Sequence, residues 1–193
     1  LSQTKNVKLA AMCSSRGCFH RCSFCSVSSF YALSGGHAAR FRSPENVVDE
    51  LESVIASTGI RKFAFIDDDF IGPGEKTQQR AIRIGEEIRA RKLDITFNID
   101  CRADEVNEDV LKLLKEAGLR SVFVGIESGV QRSLDTFNKR TTVEQNRRAI
   151  ETLKKLDLYV ELGFILFDPY TTIEELQENM RFMRGIGYPA PVH

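Results

Sequence analysis

The chain has 193 residues, 42% of them hydrophobic and 28% charged, with 13 Gly and 5 Pro, a make-up that fits one compact core and excludes a disordered or collagen-like segment. Its 27 Lys and Arg balance 27 Asp and Glu, so the positive field that draws a protein to phosphate backbones or anionic membranes is missing and nucleic acid is not an expected partner. No run approaches the roughly eighteen apolar residues of a membrane span and no basic-then-apolar leader opens the chain, so the expected location is the cytoplasm.

In chain order, apolar β-rich runs alternate with amphipathic helical stretches. Strands are predicted over residues 7–12, 62–66, 95–99, 121–126 and 159–167. Runs such as Phe63-Ala64-Phe65-Ile66 and Gly163-Phe164-Ile165-Leu166-Phe167 are apolar throughout, the pattern of strands covered on both faces.

The first helix follows Ser43-Pro44, a cap residue and then Pro at the first helical position. It carries Val47, Val48, Leu51, Val54 and Ile55 on one face and stops at Gly59. The second, over residues 75–92, turns Ala81, Ile82, Gly85 and Ile88 to the core. Asn107 opens the third, with Glu108 and Asp109 at the positive end of the helix dipole, and Gly118 closes it. The fourth begins with the capping box Thr142/Gln145. The fifth starts at Thr171 or Thr172 with Glu174 and Glu175, and spaces Ile173, Leu176, Met180 and Met183 along one stripe as core filler.

Five βα units in one domain, residues 1–193, give an α/β class with a parallel sheet. The pattern allows a barrel or a doubly wound sheet; in both, ligands belong at the carboxyl ends of the strands.

The loop after the first strand holds Cys18, Cys22 and Cys25 in a C-x3-C-x2-C spacing, whereas Cys13 and Cys101 stand apart and read as small buried residues. Five cysteines with three in one loop are not a disulfide framework; in a reducing compartment such a group holds a metal or does redox work. Closed zinc sites and self-contained 4Fe-4S clusters want four ligands. A 4Fe-4S cluster held by three thiolates keeps one iron open to chelation by an amine and a carboxylate. The alternative is zinc with His20 as fourth ligand, although His20 lies only two residues from both Cys18 and Cys22.

This loop, placed after the first strand of a βα series, resembles that of the radical S-adenosylmethionine (SAM) superfamily, and the resemblance covers nearly the whole chain. It implies a partial TIM-type barrel, a 4Fe-4S cluster on Cys18, Cys22 and Cys25, and SAM on the open iron, with reductive cleavage to a 5'-deoxyadenosyl radical. By the same resemblance Phe24 lies against the adenine and Asp68, in the run Asp67-Asp68-Asp69 after the second strand, meets the SAM amine. The Gly-Gly-Glu common at that place is absent here. Arg102 after the third strand suits the SAM carboxylate, or pairs with Asp104. Gly125-Ile126-Glu127-Ser128 ends the fourth strand, with Gly125 permitting close approach and Glu127 facing a ribose diol or amine. Ile165 of the fifth strand is the residue under the adenine, and Phe167 stands where the family often has Gly.

The string from Arg42 to Val48, the Asp-rich loop and Asp168-Pro169-Tyr170-Thr171-Thr172 are most like the branch that carries an N-terminal cobalamin-binding domain, whose members methylate unactivated carbons or close rings. The implied enzyme acts on a small-molecule or peptide substrate and takes electrons from a donor such as flavodoxin or ferredoxin, with cobalamin on a domain outside this chain. Two other readings stay open: a radical SAM enzyme without cobalamin, including the tRNA methylthiotransferase type, and a zinc-stabilised βα domain without catalysis. Since the family core usually has six βα units, the barrel is expected to be incomplete as given, in a polypeptide that begins before Leu1 and continues past His193.

Overall fold

The computed structural model describes residues 9–33, 35 and 39–187; the predicted strand start at Val7 and the end of the chain after Gly187 lie outside them. Five parallel strands form the main sheet: β1 (Leu9–Met12), β4 (Lys62–Phe65), β5 (Thr96–Arg102), β6 (Leu119–Glu127) and β7 (Tyr159–Phe164), lying side by side in chain order. Between them run α2 (Pro44–Thr58), α3 (Glu75–Ala90), α4 (Glu108–Glu116) and α6 (Val143–Lys155), and α7 (Ile173–Gly185) follows β7. Right-handed crossovers that always step the same way put every helix on one side of the sheet. The strand order therefore decides for a partial barrel over a doubly wound sheet.

Short elements that hydrophobic periodicity does not signal fill the loops. An antiparallel pair, β2 (Ser15–Gly17) and β3 (Ala39–Phe41), flanks the cysteine loop, α1 (Val27–Ala32) follows it, and α5 (Gln131–Thr136) follows β6. They are too short for a period of 2 or 3.6 to show.

The helix starts are where side-chain chemistry puts them. Ser43 Oγ accepts from Asn46 N ahead of Pro44, Asn107 Oδ1 accepts from the amides of Asp109 and Val110, and complete capping boxes open α6 (Thr142/Gln145) and α7 (Thr172/Glu175). The core lies between sheet and helices, with Phe63, Phe65, Phe97, Ile99, Val122, Val124 and Ile126 meeting Val47, Leu51, Ile84, Ile88, Leu111, Leu114 and Leu153.

Three expectations are corrected. The strands are not covered on both faces: Phe63 and Phe65 are buried, but Ile66 is 58% exposed, because the face opposite the helices is the open inside of the barrel. The predicted stripe of α7 is also rotated, since Ile173 and Met180 are exposed while Asn179 and Phe182 are buried. The reason is polar anchoring, in which Asn179 Oδ1 accepts from Ser128 Oγ (3.1 Å) and Gly129 N (2.8 Å). Phe182 is thereby seated where a Cβ on Gly129 would collide with it. Strand β7 ends at Phe164, short of the predicted Phe167.

Gly118 leads α4 into β6 at φ +117°, and a side chain there would strike the Ile95 carbonyl oxygen. Gly118→Ala is expected to destabilise the fold by about 2 to 3 kcal/mol through backbone strain alone, read as a lower urea midpoint by circular dichroism; an unchanged midpoint contradicts this packing.

Candidate functional site

At the carboxyl rim of the sheet, Cys18, Cys22, Phe24, Cys25, Asp68, Arg102, Gly125 and Glu127 line one cleft of about 220 Å³. Eight of the nine residues singled out in the sequence thus converge. Ile165 does not line the cleft; its backbone N–H donates to the Glu127 carbonyl (2.7 Å). His20, Asp100, Cys101, Phe123 and Lys139 also line it.

The cysteine loop is docked by backbone groups against α5 and the turn after it. Ser23 N donates to Phe137 O (2.8 Å), Ser23 Oγ to Thr136 O (2.9 Å) and Asn138 Nδ2 to Arg21 O (2.6 Å). Phe24 sets its ring edge-on to Phe137 at 5.6 Å while the rest of it faces the cleft. All three thiols are free. Burial pushes Cys18 up to about 11, so at neutral pH it is a thiol until a metal replaces its proton.

Arg102 arrives on β5, buried, and spends its donors inside the protein: bidentate on Asp104 (3.0 and 3.2 Å), on Lys139 O (2.6 Å) and on Cys22 Sγ (3.3 Å). Burial opposes its charge, but Asp104 more than offsets this and raises its pKa. The Asp104 pairing is therefore present, and the nearest cleft group to its remaining N–H is a sulfur.

The three Asp residues after β4 are not a solvated turn. Asp67 is buried and accepts from Ser14 N (3.0 Å), Ser14 Oγ (2.8 Å) and Ser15 Oγ, which ties the ends of β1 and β4 together. Asp68 faces the cleft and accepts from Gly17 N (2.9 Å). Asp69 points into the protein beside Glu105, whose Oε1 is 2.7 Å from His20 Nε2. Asp69 Oδ2 and Glu105 Oε2 are both buried without a donor. A proton kept on Asp69 and shared with Glu105 satisfies both: burial first, and then Glu105, push Asp69 up to about 8, while burial raises Glu105 and lowers His20. On the inner face of the sheet Asp100 is pushed up to about 6 by burial and by the carboxylates of Glu161, Asp67 and Asp68.

The end of β6 is held in an unusual shape. Glu127 has φ +62°, a left-handed conformation that costs a non-glycine residue energy, and the β6/β7 register shifts between Gly125 and Glu127. Such an irregularity re-aims a side chain. Asn146 of α6 pins it, giving its Nδ2 hydrogens to Ile126 O (2.9 Å) and Ser128 O (3.0 Å). Glu127 Oε1 accepts from the buried Lys139 ammonium (2.9 Å). A Cβ on Gly125 would lie 2.6 Å from that oxygen and 2.8 Å from Lys139 Nζ. The space Gly125 leaves is filled by this ion pair. Lys139, Asn146, Asn179 and Glu105 went unpredicted; a buried Lys or Asn carries no periodicity of its own, and its partners are distant in sequence.

A one-way parallel βα sheet with a three-thiol loop and a strained carboxylate at its carboxyl rim is a partial TIM-type barrel with three free thiols in its cleft. Residues 12–183 match the profile of the Radical SAM superfamily, and the chain belongs to that superfamily. It is 35% identical over 180 residues to an uncharacterized methyltransferase of Pyrococcus horikoshii, covering 93% of this chain and 38% of the relative. It is 34% identical over 179 residues to the anaerobic magnesium-protoporphyrin IX monomethyl ester cyclase of Cereibacter sphaeroides, covering 91% and 28% respectively. Thus it spans well under half the length of these curated relatives. Among solved structures, the cobalamin-dependent SAM radical enzyme OxsB, with aqua-cobalamin and SAM bound, superposes with a TM-score of 0.79 at 27% identity, over 90% of this chain and 26% of OxsB. The radical SAM methyltransferase TsrM of Kitasatospora setae shares the fold, with a TM-score of 0.77 at 22% identity over 92% of this chain and 32% of its own.

The proton on Asp69 has a consequence for stability. Its pKa of about 8 lies above the ordinary 3.8, so its stabilising contribution is complete below the ordinary value and is lost as pH rises through the folded one. Urea titrations of the metal-free protein are expected to show stability falling from about pH 4 to about pH 8, and Asp69→Asn, which keeps a donor toward Glu105, to flatten that slope. An equal slope in both proteins would mean that Asp69 is ionised.

Proposed function

We propose that this chain is the core of a radical SAM enzyme that holds a 4Fe-4S cluster on Cys18, Cys22 and Cys25 and binds SAM in the same cleft. The observation that carries the reading is the meeting, at one rim of the barrel, of three free thiols with the polar ends of β4, β5 and β6. The donor set fits such a cluster: three thiols of one loop share the cleft, and Arg102 already donates to Cys22 Sγ. His20 Nε2 is engaged by Glu105, so a zinc centre with His20 as fourth ligand would have to use Nδ1. When bound, the cluster supplies the electron that cleaves SAM to a 5'-deoxyadenosyl radical.

The chain's own residues divide the remaining work. Phe24 offers an apolar wall for the adenine, Asp68 an acceptor for the SAM ammonium, and Glu127, oriented by Lys139, an acceptor for that ammonium or the ribose hydroxyls. Arg102 serves the cluster side of the cleft. Ile165 acts on the site through the backbone of Glu127. The reaction read for the whole protein is methylation or cyclisation of an organic substrate with cobalamin held outside this chain. Support comes from relatives named as a methyltransferase and a cyclase and from the likeness to OxsB. An electron donor of the flavodoxin or ferredoxin type and a cytoplasmic location belong to the same reading; among the described residues no helix is long and apolar enough to cross a membrane.

Anaerobic reconstitution tests the ligand set. Cys18→Ala, Cys22→Ala and Cys25→Ala are each expected to lose the brown 4Fe-4S absorbance and most of the bound iron and sulfide, while Cys13→Ala and Cys101→Ala keep them; loss at Cys101 instead would sink the assignment. For the polar contacts, Glu127→Gln keeps the shape and removes a charge-assisted hydrogen bond, so SAM affinity is expected to fall about tenfold or more with cluster content unchanged. Equal affinity would leave Glu127 as a strand-ending residue that only pairs with Lys139.

A further inference from the structure

A second concavity, of about 580 Å³, is lined by Ala11, Cys13 and Ile66 together with Arg16, Arg40 and Arg42 of the β2/β3 region. Its size is that of a small-molecule site. Arg16 stands two residues before Cys18, and Ile66 two before Asp68, so groove and cleft are neighbours.

Arg16 and Arg40 are direct cross-strand partners. Opposite residues of an antiparallel pair share a face, and like charges so placed destabilise the pair. Among the described residues neither guanidinium has an ion pair or a hydrogen bond. No Asp or Glu occurs at positions 1–8, 34, 36–38 or 188–193 either. The other arginines here are committed: Arg42 to Glu50, Cys13 O and Asn46, and Arg80 to Ser14 O and Arg42 O, with its guanidinium 4.9 Å from the Phe41 ring centroid. Glu50, the carboxylate that lines the groove, is taken by Arg42. The neighbouring cations are thus neutralised or packed, and two are left side by side on one face of the antiparallel β2/β3 pair.

We infer that Arg16 and Arg40 form an anion site, and that the groove takes a phosphate or carboxylate group of an amphipathic organic ligand whose apolar part lies along Ala11 and Ile66. Two guanidinium forks are shaped for oxyanions, and the ligand's charge removes their repulsion. A concave groove with an apolar wall suits a small molecule better than a protein surface. That the ligand is the enzyme's substrate rests on the radical SAM reading; the anion site does not.

The test titrates the reconstituted protein calorimetrically with inorganic pyrophosphate and, separately, with citrate, which distinguishes phosphate from carboxylate recognition. Saturable binding of at least one is expected, with affinity falling tenfold or more in the Arg16→Gln/Arg40→Gln double variant and retained in Arg40→Lys. In low salt without anion the double variant is expected to melt at or above the unmutated temperature, since a repulsion is gone, and to lose the anion-dependent rise in Tm. SAM affinity and cluster content stay unchanged. Binding of neither anion, or equal binding by the double variant, overturns the site. A loss of SAM affinity in the double variant also overturns it, by assigning the pair to the SAM carboxylate. A protein that binds pyrophosphate but assembles no cluster would instead refute the proposed function and leave the anion site standing.

Discussion

Everything at the site depends on the right-handed βα crossover repeated in one direction. Strands laid down in the order β1, β4, β5, β6, β7 send every helix to the same side, so one face of the sheet receives the apolar core and the other is left open. The same repetition gathers all the loops that follow strands onto one rim. The cysteine loop, the three Asp residues, Arg102 and Glu127 are far apart in the chain, and each lies at the carboxyl end of a strand of that sheet or in the loop beyond it. Their convergence is a property of the topology rather than of any local motif.

What holds the rim in shape is a polar network under the cleft. Asp67 joins the ends of β1 and β4 through two serines, Glu105 and Asp69, whose carboxyl burial pushes up to about 8, sit behind His20 of the cysteine loop, and Arg102 links Cys22 to the Lys139 backbone. Buried polar groups are costly unless satisfied, and here they are satisfied mostly by residues from other loops. Moving one loop would strand donors and acceptors in several others, which gives a ligand a preorganised site. The positive φ of Glu127 belongs to the same arrangement: two buried asparagines from α6 and α7 fix the backbone around it, and strain at one residue is offset by hydrogen bonds at its neighbours.

The inside of the barrel is electrostatically divided. Asp68, Asp100 and Glu161 make the β4 to β7 side acidic, and burial first, then the neighbouring carboxylates, raise Asp100 to about 6, while Arg16 and Arg40 leave the β1 side basic. The zero net charge of the chain conceals this separation, because composition sums charges that the fold keeps apart.

The sequence by itself determined the βα alternation, the capped starts of α2, α4, α6 and α7, and the three-thiol loop, because these signals are local: a Ser-Pro, an Asn or a Thr-x-x-Glu acts within one turn, and C-x3-C-x2-C within one loop. It also marked which residues end strands, so Asp68, Arg102, Gly125 and Glu127 were legible as candidates from position alone. Only the tertiary structure decided that the sheet is open on one face, that α7 turns Asn179 and Phe182 inward instead of Ile173 and Met180, and that Ile165 meets Glu127 rather than the cleft. It alone supplied Lys139, Asn146 and Glu105 to the site. The physical reason is range: strand order, helix rotation and the satisfaction of buried charges are settled by partners dozens of residues away, chosen by packing and desolvation in the folded core, where no sequence spacing records them.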